Sequence, residues 1–242
     1  MKPKITWKWI AQCVVVLCCA YALKRYYAGV SADELRWILA PTTALVEAVS
    51  GVSFEFESRA GYLSRARGFL IAPACAGVNF LLTAFLLLTL GRLLRSKEIA
   101  WGFVPIAAVA AYLVTLVANT ARICVALWLQ RLPAELSWLN PAQLHRFEGI
   151  VIYFGFLLLL FAVSEKLSAE KAAGQGWQFL LPLLLYYATT LGIPLLNSAY
   201  RQGNAFWEHS LWVLLIPWLL IVPLAALRFY RHDKLRDLSQ FR

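Results

Sequence analysis

Three polar side chains of this sequence could act together in a chemical reaction, because each is placed at the end of a long apolar segment. They are the thiol of Cys75, the guanidinium of Arg122 and the imidazole of His145. A thiol beside an imidazole is a nucleophile with its base, and an arginine can stabilise a developing oxyanion. These residues therefore predict a cysteine nucleophile that attacks a carbonyl group.

The elements that must position these side chains are membrane-spanning helices. The chain has 242 residues, of which 61% are hydrophobic and 15% are charged, and its mean hydropathy is +0.64. A soluble domain is nearer half apolar and a quarter charged. Several stretches approach or exceed the roughly 18 apolar residues that let a helix cross a bilayer. We predict an all-α, polytopic integral membrane helical bundle, with a single domain over residues 1–242.

The net charge of +10 raises the question of nucleic-acid binding, but its distribution argues against that function. The basic residues separate hydrophobic segments instead of forming a stripe with interleaved aromatic residues. This pattern is typical of topology signals and of contacts with anionic lipid headgroups. We therefore expect the lipid bilayer as a partner and no nucleic acid.

About six transmembrane helices account for the apolar segments. Between the first two lies a polar region, roughly 28–72, with an apolar piece, Leu35–Val49, that contains Pro41 and Glu47. This piece is short for a span and is predicted to be a re-entrant or interfacial segment on the outer side. The alternating residues Ser53–Glu57 indicate a short strand. The predicted spans are about 9–27, 73–91, 99–118, 147–164, 177–196 and 210–227.

The orientation of the bundle is predicted from lysine and arginine residues in the connections. With the N-terminus inside, the cytoplasmic segments carry 13 of the 23 basic residues and only five of the 13 acids. We therefore expect both termini in the cytoplasm. Lys24 and Arg25, at the outer end of the first span, are against this bias.

This topology places the three side chains at one depth, on the outer side. Pro73 suits a first helical turn, so Cys75 is expected near a helix N-terminus, where the macrodipole favours a thiolate. Asn119 and Arg122 are expected at or just beyond the outer end of the third span, on one helical face because their spacing is three. His145 is expected just before the fourth span. Asn119 is predicted to support Arg122.

The sequence gives little sign of another kind of site. It contains no HExxH zinc motif, no Walker loop and no G-x-G-x-x-G. We expect no metal and no cofactor. The other four cysteines form no CxxC pair and are interpreted as packing residues: Cys13, Cys18, Cys19 and Cys124.

Three short segments carry a family resemblance. PACAGVNF (73–80), NTARI (119–123) and HRFEG (145–149) resemble, in order and outer-face placement, the motifs of the exosortase/archaeosortase family, most closely its exosortase K subgroup. The resemblance covers residues 70–165 well and the pattern of spans more loosely. It departs at Ala76, where many members have a hydroxyl residue.

The resemblance implies a function and a role for each residue. The family consists of membrane-embedded cysteine transpeptidases, and the resemblance implies a location in the bacterial cytoplasmic (inner) membrane. They cleave the C-terminal sorting signal of secreted proteins, which consists of a short motif, a transmembrane helix and a basic tail, and transfer the protein to a cell-surface acceptor. Carried onto this chain, the catalytic residues are Cys75, Arg122 and His145.

Two alternatives stay open on the sequence. A non-enzymatic membrane protein, such as a transporter or an assembly factor for envelope polysaccharide, does not require the three side chains to be close together. A hydrolytic protease with the same site, in which water is the acceptor, differs only in what reaches the thioester.

Overall fold

The chain folds largely into helices. The computed structural model describes residues 6–27, 29–96, 100–131, 140–167, 180–198, 201 and 203–240. The helices in this part of the chain are α1 (Trp7–Tyr27), α2 (Arg36–Ser50), α3 (Val78–Ser96), α4 (Phe103–Leu129), α5 (Pro141–Leu167), α6 (Leu181–Tyr187), α7 (Ile193–Leu196) and α8 (Asn204–Gln240). Three short strands lie between α2 and α3, namely β1 (Glu55–Glu57), β2 (Gly61–Ser64) and β3 (Phe69–Ile71).

Among the described residues, five helical segments are long and apolar enough to cross a membrane, which confirms the prediction of a helical membrane protein. The predicted span 177–196 begins outside the described residues. Its described part, Leu181–Leu196, is shorter and contains a π-helical turn at Ala188–Gly192, so the count of six stays a prediction. The five segments are Trp7–Tyr27, Pro73–Ser96, Phe103–Leu129, Gln143–Leu167 and Phe206–Pro223.

The main core lies between the long helices. Leu87 of α3, Ala111 of α4, Phe154 of α5 and Val213 of α8 are almost completely buried there. Large apolar side chains on the other faces of the same helices are exposed, such as Leu219. Exposed apolar faces of this extent are suited to contact with lipid.

The segment between the first two spans forms a small unit that packs on α4. Helix α2 is 15 residues long, too short to cross a bilayer, as the sequence predicted. Its side chains Ile38 and Leu39 are buried in a second apolar cluster that includes Ile123 of α4. At its C-terminal end, Glu47 Oε1 accepts a hydrogen bond of 2.7 Å from the backbone N–H of Phe54. This bond joins α2 to the segment that enters β1.

The strands form one antiparallel sheet in the order β1-β2-β3. Strand β1 lies within the predicted segment Ser53–Glu57, which confirms that prediction. Glu55 is opposite Leu63 in β2, and Leu63 is opposite Leu70 in β3. Strand β3 is followed by the 3₁₀ turn Pro73–Cys75, so the sheet anchors the chain on the N-terminal side of Cys75.

Lys24, whose predicted outer position is against the charge bias, has a specific hydrogen-bond partner. Its Nζ donates a hydrogen bond to Oδ1 of Asn79 in the first turn of α3. The contact ties the C-terminal end of α1 to the beginning of α3. A structural contact of this kind explains a lysine at this end of α1 without a role in topology.

Candidate active site around Arg122

Arg122 lies inside α4 and not at its end. Helix α4 continues to Leu129, about three turns beyond the predicted end at residue 118. Arg122 is 8% exposed and Asn119 is completely buried, whereas Val125 on another face is exposed. The predicted span of about 99–118 thus covers only part of α4, whose polar residues do not end the helix. In the structure they face neighbouring helices, which leaves the apolar face of α4 for lipid.

His145 also lies inside a helix, since α5 begins at Pro141. Arg122 Nη2 lies 2.8 Å from His145 Nε2. Because a guanidinium can only donate hydrogen bonds, Nε2 must be the acceptor, and the proton of the neutral imidazole is on Nδ1. Nδ1 lies 3.0 Å from Oε1 of Glu148, one turn further along α5. Both nitrogens of the ring therefore face a charged group.

A hydrogen bond from α4 holds the backbone of Cys75 in place. Its carbonyl oxygen accepts a hydrogen bond of 2.6 Å from Nδ2 of Asn119. Cys75 lies in the 3₁₀ turn Pro73–Cys75, and α3 begins only at Val78. The expectation that Pro73 lies in a first helical turn is confirmed, and the membrane-length segment Pro73–Ser96 begins there, although Gly77, with φ +70°, separates this turn from α3.

Arg122 also places a positive charge within electrostatic range of the Cys75 thiol. The described structure contains no hydrogen bond between the Cys75 thiol and the His145 ring. The site is organised around the guanidinium, which contacts the predicted base and lies within electrostatic range of the predicted nucleophile.

Tyr153 of α5 connects these residues, although it was not predicted from the sequence to be a site residue. Its hydroxyl donates to Oδ1 of Asn119 at 2.8 Å and accepts from Nη1 of Arg122 at 3.2 Å. A continuous chain of polar contacts thus runs from Cys75 through Asn119, Tyr153 and Arg122 to His145. The signal available in the sequence was helical spacing, since Tyr153 follows His145 by eight residues and shares its side of α5.

Two glycines let these side chains approach the backbone closely. A Cβ atom at Gly77 would lie 3.3 Å from the Tyr153 hydroxyl oxygen and 3.4 Å from Cγ of Asn119. A Cβ atom at Gly149 would lie 3.3 Å from Nε of Arg122. The space beside Gly77 is therefore filled by the polar network itself.

Gly77→Ala is expected to destabilise the protein by more than about 2 kcal/mol. The residue's left-handed conformation costs about 1–2 kcal/mol for any residue with a Cβ, and the new methyl group must also displace Asn119 or Tyr153. Gly68→Ala is the matched control, because Gly68 has φ +59° with nothing near its Cβ position. Thermal unfolding in detergent measures both variants. Equal losses for the two would show that the close packing at Gly77 contributes nothing.

A cavity of about 240 Å³ opens beside the network. Arg122, His145 and Tyr153 form part of its wall, together with Arg146 of α5 and His209 of α8. Thr190 of the π-helical turn also lines it. The last helices of the chain, whose role the sequence did not indicate, thus complete the walls of the cavity.

The described residues contain no group of three or more His, Cys, Asp and Glu side chains arranged to hold a metal ion. What the described arrangement offers is a thiol, an imidazole and a buried guanidinium that can bind an oxygen atom. These groups are suited to acyl transfer.

Comparison with known proteins gives no relative for this chain. No protein-family model matches it, and no curated protein or solved structure matches it significantly. The exosortase/archaeosortase resemblance stays an expectation carried by the three motifs.

Proposed function

We propose that this protein is a membrane-embedded cysteine transpeptidase that cleaves the C-terminal sorting signal of secreted proteins. The observation that carries the proposal is the polar network that joins Cys75, Asn119, Tyr153, Arg122 and His145. A buried arginine in a spanning helix is costly and is usually kept for function. Here it contacts the imidazole of His145 and lies within electrostatic range of the Cys75 thiol.

The reaction begins with a change of partner at Arg122. In the resting arrangement the guanidinium occupies Nε2 of His145, so the imidazole has no free acceptor for a proton. When a substrate carbonyl oxygen binds the guanidinium, Nε2 is released and accepts the proton of the Cys75 thiol. The arrival of the substrate and the activation of the nucleophile are thereby coupled.

The remaining steps follow thiol acyl transfer. The sulfur attacks the carbonyl carbon, and Arg122 stabilises the oxyanion that forms. The carbon–nitrogen bond breaks, and His145 returns its proton to the amine of the departing tail. The thioester on Cys75 is then attacked by an amine of the cell-surface acceptor, which gives a new amide and restores the thiol.

The proposed location is the bacterial cytoplasmic membrane, with both termini in the cytoplasm and the site facing outward. The excess of basic residues in the predicted inner connections supports this orientation. The substrate's own transmembrane helix lies against the bundle, with its basic tail in the cytoplasm. The cavity beside Arg122 accepts a substrate side chain near the bond that is cleaved.

The non-enzymatic alternative, a transporter or an envelope-polysaccharide assembly factor, is less well supported by this geometry. Such a protein has no need for Cys75, Arg122 and His145 to be joined in one network. A hydrolytic protease uses the same residues, and only the acceptor distinguishes it from a transpeptidase.

Trapping the thioester tests the proposal. The full chain is co-expressed with a secreted protein of the same genome that ends in an apolar helix and an arginine cluster, and membranes are treated with hydroxylamine. We expect the cleaved protein to carry a C-terminal hydroxamate, because hydroxylamine attacks a thioester readily. Mass spectrometry of the new C-terminus distinguishes hydroxamate, free carboxylate and acceptor adduct. Unchanged substrate for every such tail-bearing protein would contradict the proposed function.

A further inference from the structure

Glu148 of α5 is a buried carboxylate that the reaction described above does not use. It is 5% exposed and belongs to the membrane-crossing segment Gln143–Leu167. Within the described part of the chain, neither of its carboxylate oxygens makes a hydrogen bond. Burying a charge without such bonds costs several kcal/mol. A group kept at this cost calls for a functional explanation.

The basic group closest to Glu148 is the ring of His145. Oε1 lies 3.0 Å from Nδ1 of His145, one helical turn earlier. The distance is that of an ion pair, although the alignment is not that of a hydrogen bond. Arg122 interacts with Glu148 electrostatically, but the two form no ion pair within 4.0 Å. The carboxylate is therefore directed at the imidazole and not at the guanidinium.

The position of the imidazole proton determines what the contact between Glu148 and His145 can do. Arg122 occupies Nε2, so the proton of the neutral ring is on Nδ1, the nitrogen beside the carboxylate. When Nε2 takes a proton from a thiol, the ring becomes an imidazolium. A carboxylate 3.0 Å from Nδ1 stabilises that cation and fixes the orientation of the ring.

We propose that Glu148 is a positioning residue of the candidate active site, which holds the proton on Nδ1 of His145 and stabilises the imidazolium that forms when Cys75 loses its proton. Glu148 acts through His145 and touches neither the substrate nor the thiol. This inference rests on the proposed function for the reaction that it serves.

A second role for Glu148 makes the opposite prediction and can be separated from the first. If the carboxylate only compensates the charge of Arg122, its removal leaves more positive charge beside the Cys75 thiol. The thiolate would then form at lower pH. If Glu148 stabilises the imidazolium, its removal makes the thiolate–imidazolium pair harder to form, and the thiolate requires higher pH.

The experiment measures the alkylation of Cys75 by iodoacetamide in membranes that contain the full chain, from about pH 5 to about pH 9. No substrate is needed. The other four cysteines are replaced by serine so that only Cys75 reacts. Glu148→Gln keeps the shape and an oxygen opposite Nδ1. We expect it to raise the pH of half-maximal alkylation by about one unit, which corresponds to about 1.4 kcal/mol.

Two controls show whether the shift passes through His145. Glu208→Gln removes an exposed carboxylate that pairs with Arg146 at 3.2 Å, and it should leave the midpoint unchanged. In a His145→Gln background, Glu148→Gln should no longer shift the midpoint. A shift of equal size in that background would overturn the proposal, as would an unchanged or lowered midpoint in Glu148→Gln alone.

A further variant covers the case in which Glu148→Gln does not accumulate. Glu148→Asp keeps the charge but withdraws it by one methylene, so a smaller upward shift is expected, and a wild-type midpoint would overturn the proposal. The result is independent of substrate processing. An upward shift with no trapped thioester would support the role of Glu148 and contradict the proposed function. A trapped thioester with no upward shift would support the proposed function and contradict the role of Glu148.

Discussion

Cys75→Ala is expected to abolish processing of a tail-bearing secreted protein, with a loss on the order of 10⁴-fold or more. The alanine removes the sulfur that forms the thioester, and the network offers no second nucleophile of comparable reactivity at that position. The backbone carbonyl that binds Asn119 is kept, so the site should stay assembled. The measurement is the fraction of substrate converted to the mature form, by gel mobility and mass spectrometry.

Cys124→Ala is the matched control for this variant. Cys124 is a half-buried free thiol two residues after Arg122 on α4, but no hydrogen bond in the described part of the structure joins it to the network. We expect it to process substrate within a few-fold of the wild type. Complete cleavage of the substrate by the Cys75→Ala variant would show that Cys75 is not the nucleophile.

Arg122→Lys is expected to lower processing by about 10²–10³-fold, the usual effect of removing an oxyanion donor. Lysine keeps the positive charge but lacks the forked donors of a guanidinium. It cannot contact the Tyr153 hydroxyl and His145 Nε2 at the 3.2 and 2.8 Å that Arg122 maintains. The geometry of the site is thus lost while the charge remains.

The control for this variant is Arg65→Lys, which follows β2. Arg65 pairs with Glu55 and Glu57 at the surface, and exposed pairs contribute little to stability. Thermal unfolding of both variants separates loss of fold from loss of chemistry. Wild-type processing by Arg122→Lys would show that charge alone is sufficient and that the proposed exchange of hydrogen bonds does not occur.

Composition and hydropathy were sufficient to predict the class of the fold. The helical membrane protein, the short helix between the first two spans and the strand within Ser53–Glu57 were all expected and are present. These features depend on properties that are local in sequence, namely apolar length and alternation of side chains. The single-domain interpretation and the six-span count stay predictions.

Helix ends were harder to predict near the site. Asn119 and Arg122 were expected at or just beyond the outer end of the third span, yet α4 continues to Leu129. His145 was expected just before a helix, yet it lies inside α5. A polar residue marks a helix end only where it meets water. Here the neighbouring helices supply hydrogen-bond partners, so the polar residues are accommodated within the helices.

The sequence by itself determined the chemical groups at issue and the kind of environment that holds them: a thiol, a guanidinium and an imidazole on apolar helical segments. Only the tertiary structure decided their order of contact. It placed Arg122 against His145, inserted Tyr153 between Arg122 and Asn119, and buried Glu148 beside the imidazole. The physical reason is that apolarity and helical period are properties of neighbouring residues, whereas a hydrogen bond between helices depends on how distant segments pack.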